Sequence, residues 1–428
     1  MLLGVDEEPF EHGRFALLKT LRELYRIGNG PSSSHTMGPH RAATKFLREH
    51  PDARSFRVTL HGSLAATGKG HLTDVAIEEV LGKDRVEIIW KPLEELPLHP
   101  NGMRLEELDE SGQVLGSREE YSVGGGALLS DGESGEIYRL KTLAQILDHC
   151  EKTGESFWEY VGRVEGEEIW RYLDEVWTEM CASIERGLDS EGILPGELGL
   201  SRKARAFLRK SAIFESDLRR DALLAAYAYS VAEENACGGR VVTAPTCGSC
   251  GVLPAVLFFL RGKLNCSRSD IMRALATAGL FGNVVKTNGS ISGAAVGCQG
   301  EVGVACAMAA AAANQLLGGS PRQIEYAAEM GLEHHFGLTC DPVRGLVQIP
   351  CIERNAHAAA RAFDCCHFAI LSDGLHRISF DDAVLVMLET GQALPSLYRE
   401  TSTGGLARIY EKRIAEERGS GGGFRLPK

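Results

Sequence analysis

Residues 302–317 read VGVACAMAAAAANQLL. No charge interrupts the stretch, and alanine is the strongest intrinsic helix former. A helix that is apolar all round is a buried one. Asn314 and Gln315, with so many small side chains, point to a buried helix and not a membrane span. Alanine surfaces let neighbouring helices approach closely, as a crowded bundle requires. Helical spacing recurs on both sides, at about 219–236, 252–262, 269–282, 322–332, 352–371 and 380–394, and strand patterns nearly vanish from Ala204 onward. This half of the chain is expected to be an all-α, Ala-rich helical domain, residues 201–428, ending in a frayed tail, RIAEERGSGGGFRLPK.

The sequence upstream has another character. FRVTLHG (56–62) alternates like a strand, SLAATGKGHLTDVAIEEVLG follows as a Gly-rich turn and a helix, and RVEIIW (85–90) is a second strand. Residues 95–120 are polar, with hairpin turns expected at Asn101-Gly102 and Ser111-Gly112. A helix is expected at about 38–50, and RFALLKTLRELYRI (14–27) has the spacing of an amphipathic helix or the lead-in to one. The pattern changes after DGESGE (131–136), and residues 140–186 read as helices with a break near TGES. The expected fold is an α+β N-terminal domain over residues 1–140, a helical linker over 141–200, and then the all-α domain.

Composition narrows the function. The chain has 428 residues, with 46 basic against 58 acidic side chains for a formal net charge of -12, and no dense basic cluster. Nucleic acid and anionic membrane are therefore not the expected partners. The first residues, MLLGVDEEPFEHG, turn acidic at once, unlike a signal peptide. Twelve cysteines in such a chain fit thiols and metal in a reducing cytoplasm better than a disulfide framework.

Three of those cysteines stand in Gly/Pro-rich turns: Cys298 in GAAVGCQGEVG, Cys340 in GLTCDPVRG and Cys351 in VQIPCIERN. Free cysteine is often a small apolar filler, but turns are not where core filler belongs. Cys298 and Cys351 each precede a helical run, where free N–H groups and the helix dipole favour a thiolate. Three thiolates leave one position of a tetrahedral metal open for substrate. Spacing alone leaves zinc, iron–sulfur and redox chemistry open. Upstream, Ser32, Ser33, Ser34, His35 and Thr36 follow the Gly30-Pro31 turn. One serine suffices as a helix cap, so the surplus hydroxyls and the imidazole suit a small zwitterion. In KTNGSISGAAVG, Lys286, Asn288 and Ser290 are candidates to hold a carboxylate or ammonium.

GCQGEVG, TCDPVRGLVQIPCIERNA and GPSSSHTMGP resemble the iron–sulfur L-serine ammonia-lyases (L-serine dehydratases) of the single-chain bacterial type. HGSLAATGKGHLTD, YSVGGG, EENACGGRVVTAP and YRETSTGGLA are similar to the same family, so the resemblance runs in order from Gly30 to Ala407. It implies a 4Fe–4S cluster held by Cys298, Cys340 and Cys351, acting as a Lewis acid on L-serine, with no pyridoxal phosphate. It also implies His71 of GKGH as general base with His35 as its partner, the serines, Thr36 and Lys69 around the substrate, and a homodimer. Both histidines come from the first domain, so the site is expected at the domain interface.

Rival readings are a pyridoxal-phosphate dehydratase, a non-catalytic amino-acid sensor or metal store, and a dithiol oxidoreductase built on Cys247-Gly-Ser-Cys250. The first and third lack the strand–helix alternation around their motifs. Iron and acid-labile sulfide, or binding without turnover, discriminate the first two from the lyase. The sequence departs from the family pattern in having Cys247 and Cys250, and in having no cysteine after Cys366.

Overall fold

A computed structural model describes residues 18–132 and 135–419. The Val302–Leu316 helix is buried from Val302 to Asn314 and forms the axis of the helical body. The helices Val252–Leu264, Arg268–Asn288, Pro321–Glu333 and Cys351–Leu371 pack around it. The small side chains permit this crowding. A Cβ added at Gly331 would lie 3.0 Å from the Ala307 backbone, so two helices touch main chain to main chain there. Asn314, buried in this apolar surround, donates its side-chain N–H to the Cys366 carbonyl at 3.2 Å, while its Oδ1 has no partner among the described residues. Helix starts are fixed by Ser or Thr caps at Thr142, Ser267, Ser320 and Ser379. Each such cap contributes about 0.5–2 kcal/mol. The two helices that follow the site cysteines, Val302–Leu316 and Cys351–Leu371, begin without a side-chain cap.

The α+β part is a four-stranded sheet in the order Val86–Lys91, Ser55–His61, Gly102–Leu108, Val114–Tyr121. The first pair is parallel and joined through the helices Gly62–Thr67 and Thr73–Leu81; the other pairs are antiparallel. Alternate residues Phe56, Val58 and Leu60, with Met103 and Leu105, bury one face against Ala43, Phe46, Ile77 and Leu81. The hairpin turn lies at Asp109–Gly112, where the Asp109 carboxylate accepts the N–H groups of Ser111 and Gln113. Asn101-Gly102, also expected as a turn, instead opens the third strand.

Three expectations need correction. The amphipathic stretch 14–27 is not a helix where it is described; residues 14–17 lie outside the described residues. From Leu18 it is a short strand paired with Glu136–Tyr138, a 3₁₀ turn Leu21–Glu23, and a strand Ile27–Asn29 paired with Arg240–Val242. Its apolar residues Leu18, Leu21, Leu24 and Tyr25 are wholly buried in the helical body, where the Tyr25 hydroxyl donates to the Leu275 carbonyl at 2.9 Å. Tertiary docking, not helical propensity, sets this conformation. The tail 413–428 is helical up to the end of the Gly405–Gly419 helix, and its last residues lie outside the described part. The third concerns the thiols, below. Among the described residues, no helix is long and apolar enough to cross a membrane.

Candidate active site

The sequence segments that carry the cysteines meet the segments that carry the histidines. Cys340 lies beside Arg399 in a parallel bridge: its N–H donates to the Tyr398 carbonyl at 2.7 Å, and the Glu400 N–H donates to its carbonyl at 2.6 Å. Cys298 opens a 3₁₀ turn ahead of the central helix, and Cys351 is the first residue of its own helix. The Sγ atoms of Cys298 and Cys340 and a carboxylate oxygen of Glu301 all lie within 4.8 Å of one another. Glu301 Oε2 is 3.7 Å from Cys298 Sγ and 3.8 Å from Cys340 Sγ, while its Oε1 accepts from Thr246 Oγ1 at 2.8 Å. Cys351 lies outside that group of three but close enough to interact electrostatically with Cys298, and Arg354, one turn along its helix, interacts with all three thiols.

Burial governs the charges here. The Cys298 thiol beside it, and then burial, push Cys340 well above the usual thiol range. Burial first, and then Cys298, do the same to Cys351. The position at a helix start, expected to favour the thiolate of Cys351, is outweighed by desolvation. Burial works against the Arg354 charge too, but the three thiols more than offset it and raise the guanidinium. Burial also raises Glu301, against the hydrogen bonds from Thr246, Cys298 and Cys340.

The histidines stand on the other wall. His35 sits in a wide, π-type helical turn, Ser33–Met37, that the Ser32 hydroxyl caps by accepting the His35 N–H at 3.1 Å. Its ring nitrogens are both engaged, Nδ1 with Ser34 Oγ at 2.9 Å and Nε2 with Ser63 Oγ at 3.2 Å. His71 packs edge-on against it, with ring centroids 4.6 Å apart. The two segments clasp each other: Thr36 Oγ1 donates to the His71 carbonyl at 2.7 Å and Thr73 Oγ1 to the His35 carbonyl at 2.6 Å. His71 Nδ1 is buried and has no partner among the described residues. Burial lowers His35 to about 4, and burial, then His35, lowers His71 well below the ordinary imidazole value. Both rings are therefore neutral at neutral pH.

Glu400 joins the two walls. Its Oε1 is 3.5 Å from His35 Nδ1, and its backbone carbonyl accepts from Ser63 Oγ at 2.7 Å. His35, His71 and Glu400 also place ligand-type atoms within 4.8 Å of one another. Burial, then Glu301 and Cys298, raise the Glu400 carboxyl well above its usual range. Gly70 is needed in GKGH because a Cβ there would come within 2.4 Å of the Gly345 carbonyl, at the turn between Cys340 and Cys351.

Of the residues expected at the site from sequence, Ser32, Ser34, His35, Thr36 and His71 come together, as do Cys298, Cys340 and Cys351; Ser33 lies buried in the same turn as His35. Others point elsewhere. Lys69 is exposed, its Nζ lying 5.7 Å from the Trp90 ring centroid. Lys286 Nζ donates to the Glu23 carbonyl at 2.6 Å, and Asn288 Nδ2 to the Lys141 carbonyl at 2.8 Å. These two tie the docked N-terminal segment and the linker to the bundle. The Ser290 hydroxyl accepts from the Ser292 N–H at 3.1 Å, a local turn bond. Cys247 and Cys250 are buried with Met37, Ile184, Val231 and Val241, and burial pushes both thiols up. Sequence reading missed Ser63, Glu301, Arg354 and Glu400. Glu301 and Glu400 lie inside GCQGEVG and YRETSTGGLA, but nothing in a lone carboxylate reveals that these strings meet.

Comparison with known proteins agrees with this geometry. Residues 101–407 match the model of the serine dehydratase alpha chain, and residues 20–84 that of the serine dehydratase beta chain. The chain is 39% identical to L-serine dehydratase 1 of Escherichia coli, over 91% of this chain and 98% of that protein. It is 41% identical to the L-serine dehydratase of Streptomyces coelicolor, over 90% and 97%. Against the L-serine dehydratase of Helicobacter pylori, the identity is 34% over 92% and 99%. The alpha-chain match takes in all three site cysteines and both carboxylates, the beta-chain match takes in both histidines, and this chain belongs to the serine dehydratase family.

Proposed function

We propose that the chain deaminates L-serine to pyruvate and ammonia, with a 4Fe–4S cluster held by Cys298, Cys340 and Cys351. The observation that carries this reading is the convergence of three buried thiols with a neutral histidine pair across a domain interface. The donor set fits such a cluster. Cys298 crowds both Cys340 and Cys351 in a buried place and disfavours the anionic form of each. A cationic centre relieves that crowding, and two uncapped helix starts and Arg354 add positive potential. When bound, the cluster would supply a Lewis acid for the β-hydroxyl, which otherwise leaves as poor hydroxide.

The chain's own residues do the rest. His71 Nδ1, buried and unpartnered, takes the Cα proton as the Cβ–O bond breaks. Ser34 and Ser63 hold His35 against His71, fixing the second ring. Ser32 and Thr36 keep the turn and the GKGH loop in register, so they act by positioning. Departure of the hydroxyl leaves an enamine, which tautomerises to an imine and is hydrolysed to pyruvate and ammonia. In this reading the enzyme works in the cytoplasm as a homodimer, and the parts 1–140, 141–200 and 201–428 serve as binding wall, linker and catalytic body.

The test is anaerobic purification, with iron and acid-labile sulfide measured beside pyruvate released from L-serine. Activity is expected to fall in air and to return with ferrous iron and a thiol. Full activity of a metal-free, aerobically prepared sample would refute the cluster. The double substitution Cys247→Ala with Cys250→Ala is expected to keep its iron and most of its turnover. Both thiols are packed as apolar filler, Cys247 Sγ lying 3.9 Å from Met37 Sδ. Loss of iron in that variant would show that the site uses more than three thiols.

A further inference from the structure

An amino acid entering this site brings an α-ammonium: one positive charge and three N–H donors that need acceptors once buried. Most acceptors on the walls are committed. Glu301 Oε1 is held by Thr246, and its Oε2 faces the Cys298 and Cys340 thiols. Both nitrogens of His35 are engaged by serines. The hydroxyls of Thr36, Thr73 and Ser63 donate to the carbonyls of His71, His35 and Glu400, and those of Thr36 and Ser63 also face the Ser32 N–H and His35 Nε2. Glu400 differs. The residue is 5% exposed and its carboxyl is approached by the Ala294 N–H, yet its Oε2 has no hydrogen-bond partner among the described residues. A Cβ added at Gly293 would lie 3.2 Å from this oxygen, 2.7 Å from Glu301 Oε2 and 3.3 Å from Cys340 Sγ. The free oxygen therefore lies with Glu301 Oε2 and Cys340 Sγ around the bare Cα of Gly293, too close together for any side chain there.

The backbone is built to hold it there. Glu400 has φ +58°, a left-handed conformation uncommon for a residue with a side chain. Its N–H donates to the Cys340 carbonyl and its C=O accepts from Ser63, so both walls fix the strained residue.

We propose that Glu400 is the α-ammonium subsite, and that its carboxylate selects amino acids over the corresponding hydroxy acids. The proposal rests on the reading of the site as one for a small amino acid. A carboxylate and an ammonium form a charge-assisted pair, about twice as strong as a neutral hydrogen bond, and the ammonium's charge offsets the burial that otherwise raises the Glu400 carboxyl. A hydroxyl in the same place offers one donor and no charge.

The test uses the anaerobically purified holoenzyme and calorimetric titration with two non-reacting probes, L-alanine and L-lactate, which differ only in ammonium against hydroxyl. L-alanine is expected to bind on the order of 10–100-fold more tightly, the worth of one hydrogen bond to a charged group. Glu400→Gln, with iron and sulfide content unchanged, is expected to erase that preference by weakening L-alanine while moving L-lactate by less than about 3-fold. Equal binding of the two probes by the unaltered enzyme overturns the proposal, as does an equal loss for both in Glu400→Gln. If Glu400→Gln does not hold iron, the ratio in the unaltered enzyme decides alone. Failure of the deamination reading looks different: no pyruvate from L-serine, with the preference for L-alanine intact.

Discussion

Cys340→Ala is expected to bring iron content and pyruvate production down to background together, while the fold stays in place. The residue contributes to the structure through its backbone, and that pairing with Tyr398 and Glu400 does not involve the side chain. The thiol itself is a small buried group, and trimming it to alanine costs little beside the stability of a domain of this size. Its loss removes one of the three buried thiols that neighbour Arg354, and two thiols with Glu301 are a poor substitute for three. The reading needs two independent assays, iron per chain and circular dichroism. Cys298→Ala and Cys351→Ala are expected to behave alike. Cys150→Ala is the control: Cys150 is buried among Leu143, Ile146 and Phe157 in the linker core. An iron-replete, active Cys340→Ala enzyme would mean that the thiol is not a ligand.

The helical body was readable because its determinants are local. A run such as 302–317 has one low-energy conformation and one place to put an uncharged surface, so bounds from spacing differ from the observed ones by a residue or two at several helices. The sheet strands at Ser55–His61 and Val86–Lys91 were legible for the same reason. Residues 18–29 were not. Their apolar spacing suits a helix, but the partners that decide the matter, Glu136–Tyr138 and Arg240–Val242, are far away in the chain. The site divides in the same manner. Cysteines in glycine turns and a histidine after three serines stand out as odd local chemistry. Lys286 and Asn288 stood out too, but their polar groups serve two backbone carbonyls that no local pattern reveals. Glu301 neighbours Cys298 in sequence, but its approach to Cys340, and the place of Glu400 beside them, come from three-dimensional proximity alone.

His71→Ala should keep its iron and lose most of its turnover, by about 10²–10⁴-fold, the usual contribution of a positioned general base. The two histidines differ in what they are free to do. Both nitrogens of His35 have serine partners, whereas His71 Nδ1 has none among the described residues. A buried imidazole kept neutral by desolvation can accept a proton, and burial excludes the water that would compete for that role. His71 is fixed from behind by its own backbone, since Thr36 holds its carbonyl and its N–H bonds back to the Thr67 and Gly68 carbonyls. The side chain can therefore be removed without releasing the loop. Single-turnover rates on enzyme matched for iron would isolate the proton-transfer step from any change in loading. His35→Ala is expected to be the milder lesion, since it leaves the base in place and removes the ring packed beside it. Normal turnover by His71→Ala with none by His35→Ala would exchange the two assignments, and place the base on the turn that Ser32 caps.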